Sequence, residues 1–528
     1  MRRRPAVRAL CSLLLAVAAG TTATPLGAAA RAPDPVPLGR VVPAPASVRA
    51  GGDPYEITAR TRIQVPPGSR EARRVGDRLA AVLRPSTGHA LPVTEGGGGD
   101  GIRLALGDPD RALGAEGYRL SVTARAVTIS ARESAGLFHG VQTLRQLLPA
   151  HVERDSRQPG PWRVAGGTLT DAPRYAHRGA MLDVARHFFT VPQVKRYIDE
   201  LALYKVNRLH LHLSDDQGWR IAVDSWQRLA TYGGSTQVGG GPGGFYGKDD
   251  YREIVRYAAD RYVTVVPEID MPGHTNAALA SYARLNCDGV APPLYTGTAV
   301  GFSSLCVPKP DTYDFVDDVI GELAALTPGP YLHIGGDEAH STSHADYVAF
   351  MDRAQAAVAR HGKTVIGWHQ LAGARPAPGA LLQYWGLNGG EKEVADAARA
   401  GTGLILSPAN RAYLDMKYTK DTPLGLDWAG LVEVRQSYDW DPATLIKGAP
   451  ETAVAGVEAP LWTETIVTGR DIDFMAFPRL PGIAELGWSP AATHDWAAYR
   501  VRLAAQAPRW DALGIGYYRS PQVPWPQR

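Results

Sequence analysis

Three cysteines in 528 residues are too few for a disulfide-built scaffold, and no apolar run is long enough to cross a bilayer comfortably. A surplus of charge is missing too: 56 Lys and Arg stand against 53 Asp and Glu, a formal net charge of +3. Arg2, Arg3, Arg4 and Arg8 lie in an opening segment without acids, and removing those four charges leaves −1. A nucleic-acid partner therefore has no electrostatic footprint. With 45% hydrophobic and 21% charged residues the chain is neither disordered, nor a coiled coil, nor a multi-span membrane protein. What remains is enough chain for two or three compact units whose cores need no staples.

The opening segment has an arginine-rich start, an apolar run from Ala9 to Ala19, and small residues at Ala28, Ala29 and Ala30 before Arg31. Residues 1–30 read as a cleavable export signal, so the mature chain is expected to be soluble and secreted, without a membrane association. Cys11 leaves with the signal. Cys287 and Cys306 then stand in an oxidising compartment, where one disulfide between them is expected, contributing about 3 kcal/mol in the chain-entropy model. The alternative is a pair of free buried thiols.

From Arg31 to Ala50 the chain is rich in Pro, Ala and Val and reads as an extended lead-in. Short β-type runs (Ile102 to Leu106, Tyr118 to Val122, Ala126 to Ser130) and helical patterns (Glu71 to Leu83, Ser134 to Leu148) predict a small α+β domain over residues 31–172. Beyond Asp171 eight strand candidates alternate with helical stretches: 179–184, 208–213, 263–269, 331–334, 364–368, 380–385, 403–406 and 454–457. That pattern predicts an α/β fold, a (β/α)₈ TIM barrel with long insertions over 173–528. In such barrels chemistry stands at the C-terminal strand ends.

Past those ends come carboxylates, one arginine and several Trp and Tyr, a mixture that suits a sugar: ring faces stack on aromatics while hydroxyls take carboxylate and guanidinium partners. In His333 to Glu338 (HIGGDE) two glycines break the strand, so Asp337 and Glu338 can both turn toward one pocket, which a regular strand forbids. A solvated acidic turn is the plainer reading. His210 and His212 face one way on their strand and precede Asp215 and Asp216. They raise a metal-dependent hydrolase as one reading and a hydrogen-bonded polar layer as the favoured one. Gly239 to Gly244 lacks the lysine and setting of a phosphate loop and reads as a flexible insertion. Arg186, Asp270 and Glu464 read equally well as ordinary ion-pair residues.

Together these stretches resemble glycoside hydrolase family 20, the exo-acting β-N-acetylhexosaminidases, in particular the secreted bacterial ones. The resemblance rests on Leu182 to Phe189 (LDVARHFF), His210 to Trp219 (HLHLSDDQGW), Pro267 to His274 (PEIDMPGH), the HIGGDE segment and Leu461 to Glu464 (LWTE). Glu116 to Tyr118 and Gly136 to Arg145 look like the small domain that precedes the barrel in that family.

The resemblance implies retaining hydrolysis in which the 2-acetamido group of the substrate supplies the nucleophile. Glu338 matches the general acid and base. Asp337 matches the residue that orients the acetamido nitrogen, and Tyr413 the donor to its carbonyl. Asp215 and His274 match a relay to the acid. Trp368, Trp385 and Trp462 match the walls around the acetamido methyl. Arg186 matches the clamp on the 3- and 4-hydroxyls, with Glu464 on the 4-hydroxyl side and Asp415 toward the 6-hydroxyl, while Trp428 borders the scissile bond. The implied substrates are chitooligosaccharides or glycoconjugates ending in β-linked N-acetylglucosamine and N-acetylgalactosamine, with neither cofactor nor metal. A secreted sugar-binding protein without turnover is the alternative of a different class.

Overall fold

The computed structural model describes residues 34–527 apart from Gly97 and Pro109. The expected export signal lies outside the described residues. No helix among the described residues is long and apolar enough to cross a membrane.

The eight strand candidates all form and close into one parallel barrel. In chain order they are β1 (His177–Asp183), β2 (Arg208–His212), β3 (Thr264–Glu268), β4 (Tyr331–His333), β5 (Thr364–Trp368), β6 (Leu381–Tyr384), β7 (Gly403–Leu406) and β8 (Val454–Leu461). Each strand pairs with the next, and β8 returns to β1 with Gly179 opposite Glu458.

Alternation along the strands sorts their side chains. Leu209, Leu211, Val265, Leu332, Val365, Leu382 and Leu404 join the main core with the surrounding helices, while Val266, Ile366 and Ile405 form a separate apolar cluster. The predicted last strand stops at Val457, yet β8 runs on to Leu461. Glu458 and Pro460 hide that continuation from hydropathy, because an acid and a proline read as strand breakers. The carboxylate is tolerated because His177 Nε2 and His210 Nδ1 lie 2.9 and 2.8 Å from its oxygens.

Ahead of the barrel a seven-stranded mixed sheet has the order Ser47–Ala50, Gly167–Asp171, Tyr118–Val122, Ala126–Ala131, Gly101–Leu106, Ile63–Val65, Val93–Glu95. Helices Arg70–Thr87 and Ser134–Leu147 pack on it. The first runs past its predicted end at Leu83 and stops at Gly88, whose φ of 67° ends it in the left-handed region. The lead-in is not extended throughout: Leu38–Arg40 makes a 3₁₀ turn before the first strand.

Lys205 Nζ to Asp171 Oδ2 at 3.1 Å, and Glu116 against Arg178, tie the sheet to the barrel. Lys205 and Arg178 stand at the N-terminal ends of β2 and β1, so the sheet docks at the end opposite the strands' C-terminal mouth. Buried Arg220 donates to the carbonyls of Gly234 and Thr236, just before the glycine-rich insertion, and of Gly244 at its end, at 3.0, 2.9 and 3.1 Å.

Candidate active site

At the C-terminal end of β4 the strand stops at His333, and Gly335, Gly336 and Glu338 take φ of 64°, 102° and 44°. A side chain at Gly335 would put its Cβ 1.7 Å from Asp270 Oδ1, so this bend needs glycine for space as well as for angle. The Asp270 carboxylate accepts from Gly336 N at 3.0 Å, and Tyr347 donates to the Gly336 carbonyl at 2.7 Å. The bend turns the neighbouring acids toward one imidazole: His274 Nε2 lies 3.4 Å from Glu338 Oε2 and 3.8 Å from Asp337 Oδ2.

His274, beyond β3, is the hub. Its Nδ1 lies 3.2 Å from Asp215 Oδ1. Burial opposes its charge, yet Asp215, Asp337 and Asp270 raise its pKa well above the ordinary histidine value, so the ring is an imidazolium at neutral pH. Burial also pushes Asp337 up, with Glu338 adding to it and His274 pulling the other way. Tyr413 is raised well above its usual value by burial and by Asp337, which keeps its hydroxyl a neutral donor.

Arg186, after β1, is buried with Nη2 2.8 Å from Asp215 Oδ2 and its guanidinium 4.8 Å over the Trp462 ring. Asp183 sets the turn that aims it, accepting from the backbone N–H of Ala185 and Arg186 at 2.8 and 3.0 Å. Trp462 carries the wall onward, its ring 5.8 Å from Trp368 and 6.2 Å from Tyr413. Trp428 stands 5.9 Å from Trp385 and 6.0 Å from Tyr413. Trp368 is fully buried and donates to Glu268 Oε1 at 2.9 Å, so it backs the wall that Trp462 and Trp385 present. Asp415 accepts from Trp462 N at 3.4 Å, and its pKa is raised by burial and by Glu464.

All twelve residues singled out for catalysis or binding thus stand at one end of one barrel. Arg186 Nη1, Asp337 Oδ1, Asp415 Oδ2 and Glu464 Oε2 are each buried without a hydrogen-bonding partner. One donor and three acceptors left without a hydrogen bond at this end of the barrel are of the kinds that pair with a ring carrying hydroxyls and an N–H.

The histidine pair is the polar layer. Glu458 and Glu268 hold His210 at 2.8 and 3.0 Å, and His212 lies on Glu268 and, at 2.8 Å, on Asp215, so all four ring nitrogens are engaged by carboxylates. His210, Glu268 and His333 bring ligand atoms within 4.8 Å of one another, as do His212, Asp215 and Asp270, but both nitrogens of His210 and of His212 are already engaged by carboxylates. Despite burial, the two carboxylates lift the His210 pKa to about 9. Glu268 also meets His333 Nδ1 at 2.9 Å and is held well below the usual carboxylate range by these histidines, against its burial.

Sequence reasoning quoted Glu268 within a motif without giving it a role, and passed over Glu458 and Gln370, whose Oε1 accepts from Trp385 Nε1 at 3.1 Å. For Glu268 a signal existed: an acid inside an otherwise apolar strand, flanked by two histidines in the neighbouring one. The expected disulfide joins Cys287 and Cys306, with Cα atoms 4.9 Å apart. The loop it closes is tied to the site where Ser303 Oγ donates to Asp216 Oδ1 at 2.5 Å and accepts from Thr275 N at 2.9 Å.

Two acids facing a shared imidazolium at the mouth of a parallel barrel, across from indole faces and unpaired polar atoms, equip a glycoside hydrolase. The glycosyl hydrolase family 20 catalytic-domain model matches residues 175–347 and 340–491, and that of the family's domain 2 matches residues 39–172. A Cellulomonas fimi beta-N-acetylhexosaminidase is 44% identical over 489 residues, 92% of this chain and 97% of that relative. The solved GH20 beta-N-acetylhexosaminidase of Streptomyces coelicolor A3(2) superposes with a TM-score of 0.92 at 72% identity, covering 94% of this chain and 100% of that one. A mutant Streptomyces plicatus beta-hexosaminidase in complex with product GlcNAc gives 0.91 at 72% identity, over 94% of this chain and 99% of that one. The chain belongs to glycoside hydrolase family 20, the β-N-acetylhexosaminidases.

Proposed function

We propose that the protein removes terminal β-linked N-acetylglucosamine, and N-acetylgalactosamine, from oligosaccharide chains with retention of configuration, the substrate's own acetamido group acting as nucleophile. The observation that carries this reading is the placement of Asp337 and Glu338 on one imidazole, 3.8 and 3.4 Å from the same nitrogen. An acid and a carboxylate nucleophile of the two-carboxylate scheme flank the sugar from opposite sides. Adjacent residues on one strand end stand on the same side.

In the proposed reaction Glu338 gives its proton to the glycosidic oxygen as the C1–O bond breaks. The acetamido carbonyl oxygen bonds to C1, forming an oxazolinium ion. Asp337 takes the acetamido N–H and balances the positive charge, and Tyr413 donates to the carbonyl oxygen. Glu338, now a carboxylate, accepts a proton from water as that water attacks C1 and reopens the ring. Prepositioning the acetamido oxygen lowers the barrier by about 7–11 kcal/mol at best. Indole walls that exclude water and hold the bent approach keep that advantage.

The Streptomyces plicatus complex with GlcNAc supports a pocket for that sugar. We also propose export: the reading of residues 1–30 as a signal is in keeping with a Cys287–Cys306 disulfide, which suits an oxidising compartment.

The test is product analysis on a chitooligosaccharide ladder beside aryl N-acetylglucosaminide and N-acetylgalactosaminide, with the first-formed anomer followed by NMR. Release of single β-anomers from the chain end is expected. An inverted anomer, or equal cleavage of analogues lacking the acetamide, sinks the mechanism.

A further inference from the structure

We infer that Gln370 is a positioning residue: its side-chain oxygen holds the Trp385 indole at the angle that admits an acetyl group and shuts out a longer acyl chain. The inference rests on the proposed reaction, in which Trp385 walls the acetamido methyl.

The three indole walls are fixed in different ways. Trp368 is fully buried with its N–H on the Glu268 carboxylate at 2.9 Å, and Trp462 lies under the Arg186 guanidinium and beside Trp368. Trp385 is only half-buried. It stands one residue past β6 and meets Trp428 edge-on, a ring that is itself 51% exposed. Together with Gln370, Glu338, His340 and Thr342 it lines a cavity of about 600 Å³. The loop closed by Cys287 and Cys306 props the segment after the acid, so that space does not collapse: Ser304 Oγ lies 2.6 Å from Thr342 Oγ1, and a Cβ on Gly301 would lie 2.4 Å from His340 Nδ1. Packing therefore leaves the Trp385 ring room to swing.

What fixes the ring is the segment after β5. Trp368 is followed at once by the 3₁₀ turn His369–Ala374, and it pairs across the sheet with Gln383, two residues before Trp385. The turn thus starts beside the end of β6. Gln370 Oε1 accepts from Trp385 Nε1 at 3.1 Å, and since an indole has a single N–H this bond takes its whole polar capacity. His369 Nδ1 accepts from Trp385 N at 3.4 Å, with the two rings edge-on at 5.5 Å. Burial pushes the His369 pKa down to about 4, so the ring is neutral at pH 7 and keeps an acceptor nitrogen. His369 fixes the backbone of Trp385, and Gln370 fixes the tilt of its ring.

Tilt matters because the wall sets the depth of the acyl slot. One added methylene in a fitted apolar pocket costs about 10- to 200-fold in kcat/KM. That discrimination lasts only while the wall holds still. A loosened wall also lets the acetamido oxygen drift off its line to C1, and a misplacement of about 1 Å costs about 10²-fold in rate.

The experiment measures kcat/KM for aryl β-glucosaminides carrying either N-acetyl or N-propionyl, in the full chain. Gln370→Leu, which has no acceptor, should raise the propionyl-to-acetyl ratio about three- to tenfold, the worth of one neutral hydrogen bond, and should lower kcat on the N-acetyl substrate. Gln370→Glu keeps an oxygen for the indole N–H and should keep the wild-type ratio. In the Trp385→Phe background, where that N–H is gone, Gln370→Leu should no longer move the ratio. A general loss of stability would lower both rates and leave their ratio alone. An unchanged ratio in Gln370→Leu, a ratio in Gln370→Glu as high as in Gln370→Leu, or a further shift from Gln370→Leu in the Trp385→Phe background overturns the inference. Failure of the unaltered protein to release sugar from the N-acetyl substrate would instead overturn the proposed function.

Discussion

Arg186 and Asp215 form a buried ion pair, Nη2 to Oδ2 at 2.8 Å. The same carboxylate takes His212 at 2.8 Å and, through its other oxygen, lies 3.2 Å from His274. Burial alone would raise the Asp215 pKa, but Arg186 and His274 hold it far below the carboxylate range. One acid therefore serves both the proposed clamp on the sugar and the imidazolium that faces Asp337 and Glu338.

Asp215→Asn should injure both functions at once. Removing one partner from a buried pair leaves the other charge uncompensated and costs about 3–5 kcal/mol of stability. Urea unfolding should show that loss, and kinetics should show KM raised and kcat lowered together. A change in KM alone would mean that His274 keeps its place without Asp215.

Glu338→Gln should lower turnover by about two to four decades on substrates with poor leaving groups, and by less on activated aryl glycosides, because acid assistance matters least when departure is easy. Asp337→Ala should cripple both substrate classes. Full activity on chitobiose in the Glu338→Gln protein would remove Glu338 from the acid's role.

Tyr413→Phe tests the acetamide contact. The hydroxyl stays protonated because burial and Asp337 push its pKa up, so it is a standing donor for the carbonyl oxygen. Deleting a donor of that kind costs about 10²–10³ in kcat. A thiazoline mimic of the cyclised intermediate should lose affinity in parallel. Unchanged inhibitor binding would place the tyrosine elsewhere in the reaction.

Stability should be highest in mildly acidic solution and fall on both sides. Glu458 and Glu268 lift the His210 pKa to about 9 against burial, and carboxylates likewise raise His212 and His274. A raised histidine contributes fully below its unfolded pKa of about 6.5 and loses that contribution as pH climbs through the folded value. Asp270 and Asp337, raised by burial first, add to the loss on the alkaline side. Asp215, Glu268 and Glu458 are depressed despite burial, so their contribution is present above about pH 4 and disappears in stronger acid. Melting temperatures across pH 4 to 10 decide this; a temperature that rises steadily from pH 6.5 to 9 would contradict it.

The barrel was legible because each strand is a short apolar run bounded by turns, and the five motifs because their residues are contiguous. Glu458 was not. A carboxylate inside a strand looks like a strand's end until histidines from β1 and β2 are brought within 2.9 and 2.8 Å of it. Nor was the tie at the end of the Gly239 to Gly244 insertion, because the guanidinium that holds the Gly244 carbonyl belongs to Arg220, well back along the chain.

By itself the chain of residues determined the alternation of strands and helices, the glycine bend that turns Asp337 and Glu338, and the identity of every group at the strand ends, since these depend on local pattern and backbone freedom. Only the closed barrel decided which carboxylate meets which imidazole, which polar atoms are left unpaired, and that the disulfide loop lies against the acid's segment. Those relations join residues tens to hundreds of positions apart, and burial makes their charges count, so neither hydropathy nor spacing along the chain could carry them.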